Sequence, residues 1–235
     1  AEIYKRNDYE LCLESVYGIP EFNQKEIKKS RIIACPGCYP TSALIPLIPF
    51  MLQGIIESEG IIIDSKSGIS GGGRTAKEHL LYSEAGEGIS AYGLLTHRHT
   101  SEIEQILSHV SGLNIQLIFT PHLIPIVRGM FSTIYGRLKD PGLTADDCKI
   151  LLDNFYRNYE NVKVLPVGIY PSSKWVKNSN DIYISVNVDN RSGKIILLST
   201  IDNLLKGQAG QAVQNLNLIS GLKHNEGLDL TTFYP

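Results

Sequence analysis

The segment Cys35-Pro36-Gly37-Cys38-Tyr39-Pro40-Thr41 carries the most chemistry in the chain. A thiol just ahead of a helix whose first turn contains proline lies at the positive end of the helix dipole, which favours the charged sulfur. This placement predicts a lowered pKa and a thiolate at neutral pH for Cys38. Two chemistries fit the spacing. Cys35 and Cys38 can form a Cys-x-x-Cys redox pair on a strand-to-helix turn, or Cys38 alone can be a nucleophile with Cys35 as packing. Two buried structural cysteines are the alternative without chemistry. A nucleophilic cysteine needs a base, and Thr96-His97-Arg98-His99-Thr100 offers two imidazoles. At i and i+2 on extended backbone they point to opposite sides, so that one faces the cysteine and the other contacts substrate. Zinc is not indicated, because no Cys or His falls at finger-like spacing around them.

Two further stretches are built to meet an anion. Ser67-Gly68-Ile69-Ser70-Gly71-Gly72-Gly73-Arg74 supplies four glycines and two serines after a strand, so backbone N–H groups can approach a ligand closely. It is neither a Walker A loop nor a Gly-x-Gly-x-x-Gly fingerprint. Between Phe119 and Gly129, Arg128 lies in an apolar, proline-bracketed run. A buried arginine demands an anionic partner, either a structural carboxylate or a substrate phosphate or carboxylate.

These residues need a frame. Residues 31–34 read as a short buried strand and 40–52 as an apolar helix, so the strand delivers Cys38 to a helix start. Residues 61–64 read as a second buried strand that leads into the glycine-rich loop. Ser101 and Glu104 have the spacing of a capping box, opening a helix through about Val110 with Ile103, Ile106 and Leu107 on one face. Runs at 115–120, 130–138, 182–189 and 194–201 are β-rich. Thr144 to about Tyr159 is a helix with Asp146 and Asp147 in its first turn, and 203–220 is an amphipathic helix. Residues 1–30 are polar, with a turn at 18–20 and a helix-like run at 23–29. Strands with short connections and helices on one side predict an α+β domain with an antiparallel or mixed sheet.

The whole chain has 235 residues, 43% hydrophobic and 20% charged, with 22 basic and 24 acidic side chains and a formal net charge of −2. That balance describes an ordinary globular protein without the electrostatic footprint of a nucleic-acid or anionic-membrane binder, leaving small molecules or proteins as partners. Cys12, Cys35, Cys38 and Cys148 are unevenly placed, which suits a reducing compartment rather than a disulfide scaffold. No stretch approaches the run of apolar residues that a membrane span needs. The sequence opens Ala1-Glu2-Ile3-Tyr4-Lys5-Arg6, without Met and without a signal or transit pattern, and is expected to lack the front of a longer protein.

Five ordered stretches together resemble the N-acetyl-gamma-glutamyl-phosphate reductase family: Pro-Gly-Cys-Tyr-Pro-Thr at 36–41, Ser-Gly-Ile-Ser-Gly-Gly-Gly-Arg at 67–74, His-Arg-His-Thr-Ser-Glu-Ile at 97–103, Pro-His-Leu-Ile-Pro-Ile-Val-Arg-Gly at 121–129 and Ile-Asp-Asn-Leu-Leu-Lys-Gly at 201–207. The resemblance runs from about residue 16 to the end. It implies an α+β catalytic half with a mixed, largely antiparallel sheet and helices on one face, as in the C-terminal domains of glyceraldehyde-3-phosphate and aspartate-semialdehyde dehydrogenases. It further implies that 1–34 is the tail of a mostly missing NADP-binding Rossmann domain, 35–202 a catalytic and dimerisation domain, and 203–235 a C-terminal helix and tail packing back toward the cofactor domain. By the same resemblance Cys38 looks like the nucleophile, His97 its acid/base partner and His99 a substrate contact. Ser67 and Gly68 look like the loop that meets NADP(H), and Asn203 like the residue near the nicotinamide carboxamide. Arg128 is added as a substrate-binding candidate on its placement alone.

The implied reaction is NADPH-dependent reduction of N-acetyl-gamma-glutamyl phosphate to the semialdehyde through a cysteine thioester, in arginine biosynthesis. The implied setting is a homo-oligomer (dimer or tetramer) with a small-molecule substrate, no metal, no nucleic acid and no membrane. Its place is the cytoplasm, or a plastid or mitochondrion if a transit segment was lost with the front. Cys35 stands where the family more usually has a polar or small residue. Asn178 stands where it tends to have glycine, and Asn tolerates the left-handed region nearly as well. Two rival readings stay open: a thiol-disulfide oxidoreductase using Cys35 and Cys38, and a non-catalytic dimerisation module.

Overall fold

The structure, a computed structural model, describes residues 9–75 and 77–229. The reading of the first residues, and the outer ends of the segments 1–34 and 203–235, lie outside the described residues. In chain order the elements are α1 (Tyr9–Leu13), β1 (Val16–Tyr17), α2 (Pro20–Ile27), β2 (Ile33–Ala34), α3 (Cys38–Leu52), β3 (Ile61–Gly68), α4 (Tyr82–Ala85), β4 (Ser90–Ala91), α5 (His99–Ser111), β5 (Leu117–Ile124), β6 (Met130–Arg137), α6 (Ala145–Tyr156), β7 (Val162–Val164), β8 (Ile182–Asp189), β9 (Lys194–Ile201), a π turn at Leu205–Ala209 and α7 (Gly210–Ile219).

Seven strands form one sheet in the order β4-β5-β3-β6-β9-β8-β7, while β1 and β2 pair separately. Four of the six pairings in the large sheet are antiparallel and two are parallel. Helices α3, α5 and α6 pack on one face. The fold is thus the α+β arrangement expected, with a mixed, largely antiparallel sheet. Alternation along the strands fixes which side chains meet the helices. One row across the sheet is Phe119, Ile63, Ile134, Leu197 and Val186, all buried. The next row, two residues along, is Pro121, Ser65, Ser132, Ser199 and Ile184. The three serines are small enough for α3 to approach closely. They also carry hydroxyls to it: Ser42 Oγ and Ser65 Oγ each lie 2.7 Å from Ser132 Oγ.

Those hydroxyls matter because α3 contains Pro46 and Pro49, and it is buried from Tyr39 to Met51. Each proline lacks the N–H that would bond the carbonyl four residues back, leaving Ser42 and Ile45 with unpaired oxygens in a dry core. Ser199 Oγ donates to the Ser42 carbonyl at 2.6 Å, and Tyr156 Oη donates to the Ile45 carbonyl. The sheet and α6 therefore supply what the prolines remove, so the helix continues through both.

Several local expectations change. Helix α3 begins at Cys38 rather than Pro40. The Ser101 and Glu104 capping box is not formed. The N-cap is Arg98, three residues earlier, so Ser101 sits inside the first turn and donates to Arg98 O at 3.0 Å, while Glu104 accepts from Leu117 N at 3.0 Å. A capping box does form at Thr144, with Asp147 N donating to Thr144 Oγ1 at 3.2 Å and Thr144 N to Asp147 Oδ2 at 3.0 Å. The single helix read over 203–220 divides into a turn, the π segment and α7. The strand read at 61–64 extends to Gly68, and that at 115–120 shifts to 117–124.

If Tyr156 replaces an absent backbone donor, Tyr156→Phe will cost about 1–3 kcal/mol by leaving a buried carbonyl unpaired. In a Pro49→Ala background the helix regains its own N–H, and the same change will cost measurably less. Urea denaturation of the four chains checks this, and an equal penalty in both backgrounds would refute the assignment.

Candidate active site

Cys38 is the first residue of α3, with Gly37 as an extended N-cap (φ −73°, ψ 171°). The backbone on both sides of the thiol is approached too closely for side chains. A Cβ on Gly37 would lie 2.4 Å from His99 Nε2, and a Cβ on Gly207 would lie 2.7 Å from Cys38 Cβ. His99 from α5 thus lies against Gly37, the residue before Cys38, and the π turn that follows β9 lies against Cys38 itself.

His97 and His99 do not point apart as extended geometry would require. His99 already begins α5, and its N–H donates to His97 Nδ1 at 3.2 Å, bending the segment so that the two rings lie 4.7 Å apart. Both pack edge-on against Tyr39, at 5.7 and 5.9 Å, with Tyr92 and Phe119 closing the box around His97. Tyr92 Oη donates to Tyr39 Oη at 2.9 Å, and Tyr39 Oη donates to the His122 carbonyl at 3.2 Å. The bond from His99 N assigns the His97 proton to Nε2.

Burial decides the charges here. It pushes the Cys38 thiol up to about 11, against the lowering by the backbone N–H groups of Cys38 and Tyr39, with Glu102 raising it further and Arg98 opposing. The expected thiolate is therefore corrected: desolvation outweighs the helix terminus. His99 is lowered to about 3 by burial, then by His97 and Arg98, and His97 is lowered by burial and Arg98. At rest the thiol and both imidazoles are therefore neutral.

Glu102 was not among the candidates. It lies one turn after His99 on α5, and its Oε1 accepts from Tyr17 Oη at 2.6 Å and from Gly37 N at 3.3 Å, fixing the residue before Cys38. The signal for it was available: i and i+3 positions share a helix face.

A second cluster forms where β3 and β9 end and β6 begins. Gly68 N donates to Gly129 O at 2.9 Å, and a Cβ on Gly68 would lie 2.8 Å from Ile126 O. Buried Asn203 accepts from Gly129 N at 2.8 Å and donates to Ser70 Oγ at 2.9 Å, so it ties the two loops together. Ser67 Oγ donates to Gly68 O at 3.1 Å and interacts with the Tyr39 phenol, which links this cluster to the aromatic box.

Of the two partners foreseen for Arg128, the structure supplies the structural carboxylate. Its Nε lies 2.8 Å from Oδ2 of buried Asp202, and Nη1 donates to Asn178 Oδ1 at 3.1 Å. Asp202 also accepts from the backbone N–H groups of Asn178, Leu204 and Leu205. Asn178 has φ 64°, the left-handed backbone anticipated for it. Among the described residues no group of three or more His, Cys, Asp or Glu is arranged to hold a metal ion.

The Asn203 amide retains one N–H and one lone pair beyond its two loop bonds.

Comparison with known proteins places this geometry. Residues 38–203 match the family described as "Semialdehyde dehydrogenase, dimerisation domain". The chain is 71% identical over 232 residues to an N-acetyl-gamma-glutamyl-phosphate reductase of Prochlorococcus marinus strain MIT 9515, covering 99% of this chain and 66% of that one. A relative of the same name from strain MIT 9301 is 69% identical over 235 residues, covering 100% and 67%. The chain thus spans about two thirds of the length of these curated relatives. In fold it is similar to aspartate semialdehyde dehydrogenase II of Vibrio cholerae, with a TM-score of 0.70 at 16% identity over 92% of this chain and 71% of that one. It is also similar to the aspartate semialdehyde dehydrogenase of Francisella tularensis, with 0.69 at 13% over 94% and 73%.

The lowered His99 sets a pH dependence. Between its ordinary value of 6.5 and its folded value of about 3, the unfolded chain takes up a proton that the folded chain refuses. Stability present above pH 6.5 is therefore lost as pH falls toward 3. The urea midpoint of the parent should decline across this window, and His99→Gln should decline less steeply. An equally steep decline in the variant would remove the buried neutral imidazole as its cause.

Proposed function

Because the chain belongs to the semialdehyde dehydrogenase dimerisation-domain family, and within it to the N-acetyl-gamma-glutamyl-phosphate reductases, we propose that it is the catalytic portion of an NADPH-dependent acyl-phosphate reductase acting on N-acetyl-gamma-glutamyl phosphate. The observation that carries this reading is the seating of Cys38 at the start of α3, against Gly207, with its neighbours Gly37 and Tyr39 packed on the two histidines.

In the proposed reaction Cys38 gives its proton to a neutral imidazole while its sulfur attacks the acyl carbon. The carbon–oxygen bond to phosphate breaks, phosphate leaves, and a thioester remains on Cys38. Sulfur donates poorly into the carbonyl, so that carbon stays open to reduction. Ser67, Gly68 and Asn203 would hold the nicotinamide, which when bound supplies the hydride. His97 is assigned the acid/base role: it is half-buried and can exchange protons with water, and it acts as base in the tautomer that carries its proton on Nδ1, with the bond from His99 N given up and the Nε2 lone pair free. As imidazolium it protonates the developing oxyanion. Collapse then breaks the carbon–sulfur bond, releasing the semialdehyde and restoring the thiol. Buried His99 is assigned to substrate contact. The partly exposed edge of Arg128 is a position for a substrate carboxylate, with Asp202 holding its other edge.

The proposed division keeps 35–202 as the catalytic and dimerisation unit, flanked by the segments 1–34 and 203–235. Self-association is placed on the sheet face that carries no helices, where Ile62, Phe131, Tyr135 and Leu198 are partly exposed. The proposed setting is the cytoplasm; no helix among the described residues is long and apolar enough to cross a membrane. A thiol-disulfide oxidoreductase using Cys35 and Cys38 is less well supported, because relatives about 70% identical to the chain carry the name N-acetyl-gamma-glutamyl-phosphate reductase.

The test is NADPH oxidation with N-acetyl-gamma-glutamyl phosphate, using this chain alone and joined to the N-terminal third of its 71% identical relative. Turnover is expected in the joined protein, reduced to background by Cys38→Ser and retained in Cys35→Ser. Activity that survives Cys38→Ser would end the thioester reading, and activity lost with Cys35→Ser would favour the redox pair.

A further inference from the structure

The chemistry above makes no use of one fully buried ion pair, Lys206 with Glu21. Lys206 and Glu21 are 0% and 2% exposed, and Lys206 Nζ donates to Glu21 Oε1 at 2.6 Å and to Gln214 Oε1 at 2.7 Å. The same carboxylate oxygen accepts from Asn161 Nδ2 at 2.8 Å and from Gln214 Nε2 at 3.1 Å. Burying an ion pair costs desolvation that its attraction seldom returns in full, so stability alone gives little reason for it.

Its place in the fold supplies one. Lys206 lies on the π turn, where Gly207 N bonds Asp202 O at 3.0 Å and Ala209 N bonds Leu204 O at 2.9 Å, each reaching five residues back. Such turns are rare as free-standing structure. Here the lysine is anchored from outside, by α2. The next residue is Gly207, which lies against the base of Cys38, and Asn203 stands just ahead of the turn.

We propose that the Lys206–Glu21 pair is a positioning device for Cys38: it draws the π turn toward α2, and so presses the Gly207 backbone against the nucleophile, aiming the sulfur and keeping water from behind it. The pair also couples the segment ahead of the catalytic domain to the reacting centre. This inference rests on Cys38 being the nucleophile, and it is independent of the substrate.

Iodoacetamide labelling of the 235-residue chain, read peptide by peptide by mass spectrometry, gives the rates of Cys38 and of partly exposed Cys12 on α1 in one sample. Glu21→Gln, Lys206→Met and the apolar pair K206M/E21L grade the perturbation. In each variant that melts cooperatively, Cys38 should label about three- to tenfold faster relative to Cys12. The pH midpoint of that rate should also fall, because water reaches the sulfur. An unchanged rate ratio and midpoint in a cooperatively folded K206M/E21L would overturn the proposal. Loss of cooperative folding in all three variants would overturn it too, by making the pair a stability element. No substrate or NADPH is present, so an inactive chain that shows the shift separates this inference from the reductase reading.

Discussion

A helix surrounded by protein must satisfy its backbone without water, and α3 has to do so with two of its own donors missing. The rest of the domain is arranged around that constraint. Ser199 from β9 and Tyr156 from α6 complete the carbonyls left by Pro46 and Pro49. The serine row of the sheet then lets the helix lie close enough for those bonds to form. A helix held this way has little freedom to slide or rotate, because a shift along its axis would strip two buried oxygens of their partners at once. Cys38 inherits that rigidity by being its first residue.

The same dryness sets the electrostatics of the site. Thiol and imidazoles are both neutral at rest, so the site holds no separated charges there. A resting thiolate would be open to oxidants and stray electrophiles, and a half-buried neutral thiol is less so. The second cluster follows a different logic. Asp202 is a fully buried acceptor of an arginine and three backbone N–H groups, and it keeps the Asn203 turn in one geometry whatever binds beside it. Reactivity is concentrated at one end of the sheet edge and fixed geometry at the other, with Ser67 and Tyr39 between them.

Much of this was legible in the residue order. The strand-to-helix delivery of Cys38, the clustering of glycines where backbone meets backbone, and the left-handed position at Asn178 all follow from local rules. What escaped the sequence depended on distant partners. Pro121 marks a break by local preference, yet β5 runs through it because its neighbours β3 and β4 fix the path. The edge strands β4 and β7 are too short to show a period. Ser101 has the spacing of a cap, but the hydrogen bond between His99 and His97 starts the helix earlier. The thiol pKa went wrong for a related reason: a helix terminus can be seen in sequence, whereas the burial that outweighs it comes from residues as far away as Gly207.

The partners Glu21 and Lys206 are separated by 185 positions. Contacts of such span form late, since closing the intervening loop carries an entropic cost that only the finished core offsets. During synthesis the strands and helices between them can assemble while Cys38 still lacks its back wall, and that wall closes only after α7 has emerged. The order of the chain therefore withholds the completed surroundings of Cys38 until residues 206–214 have been made.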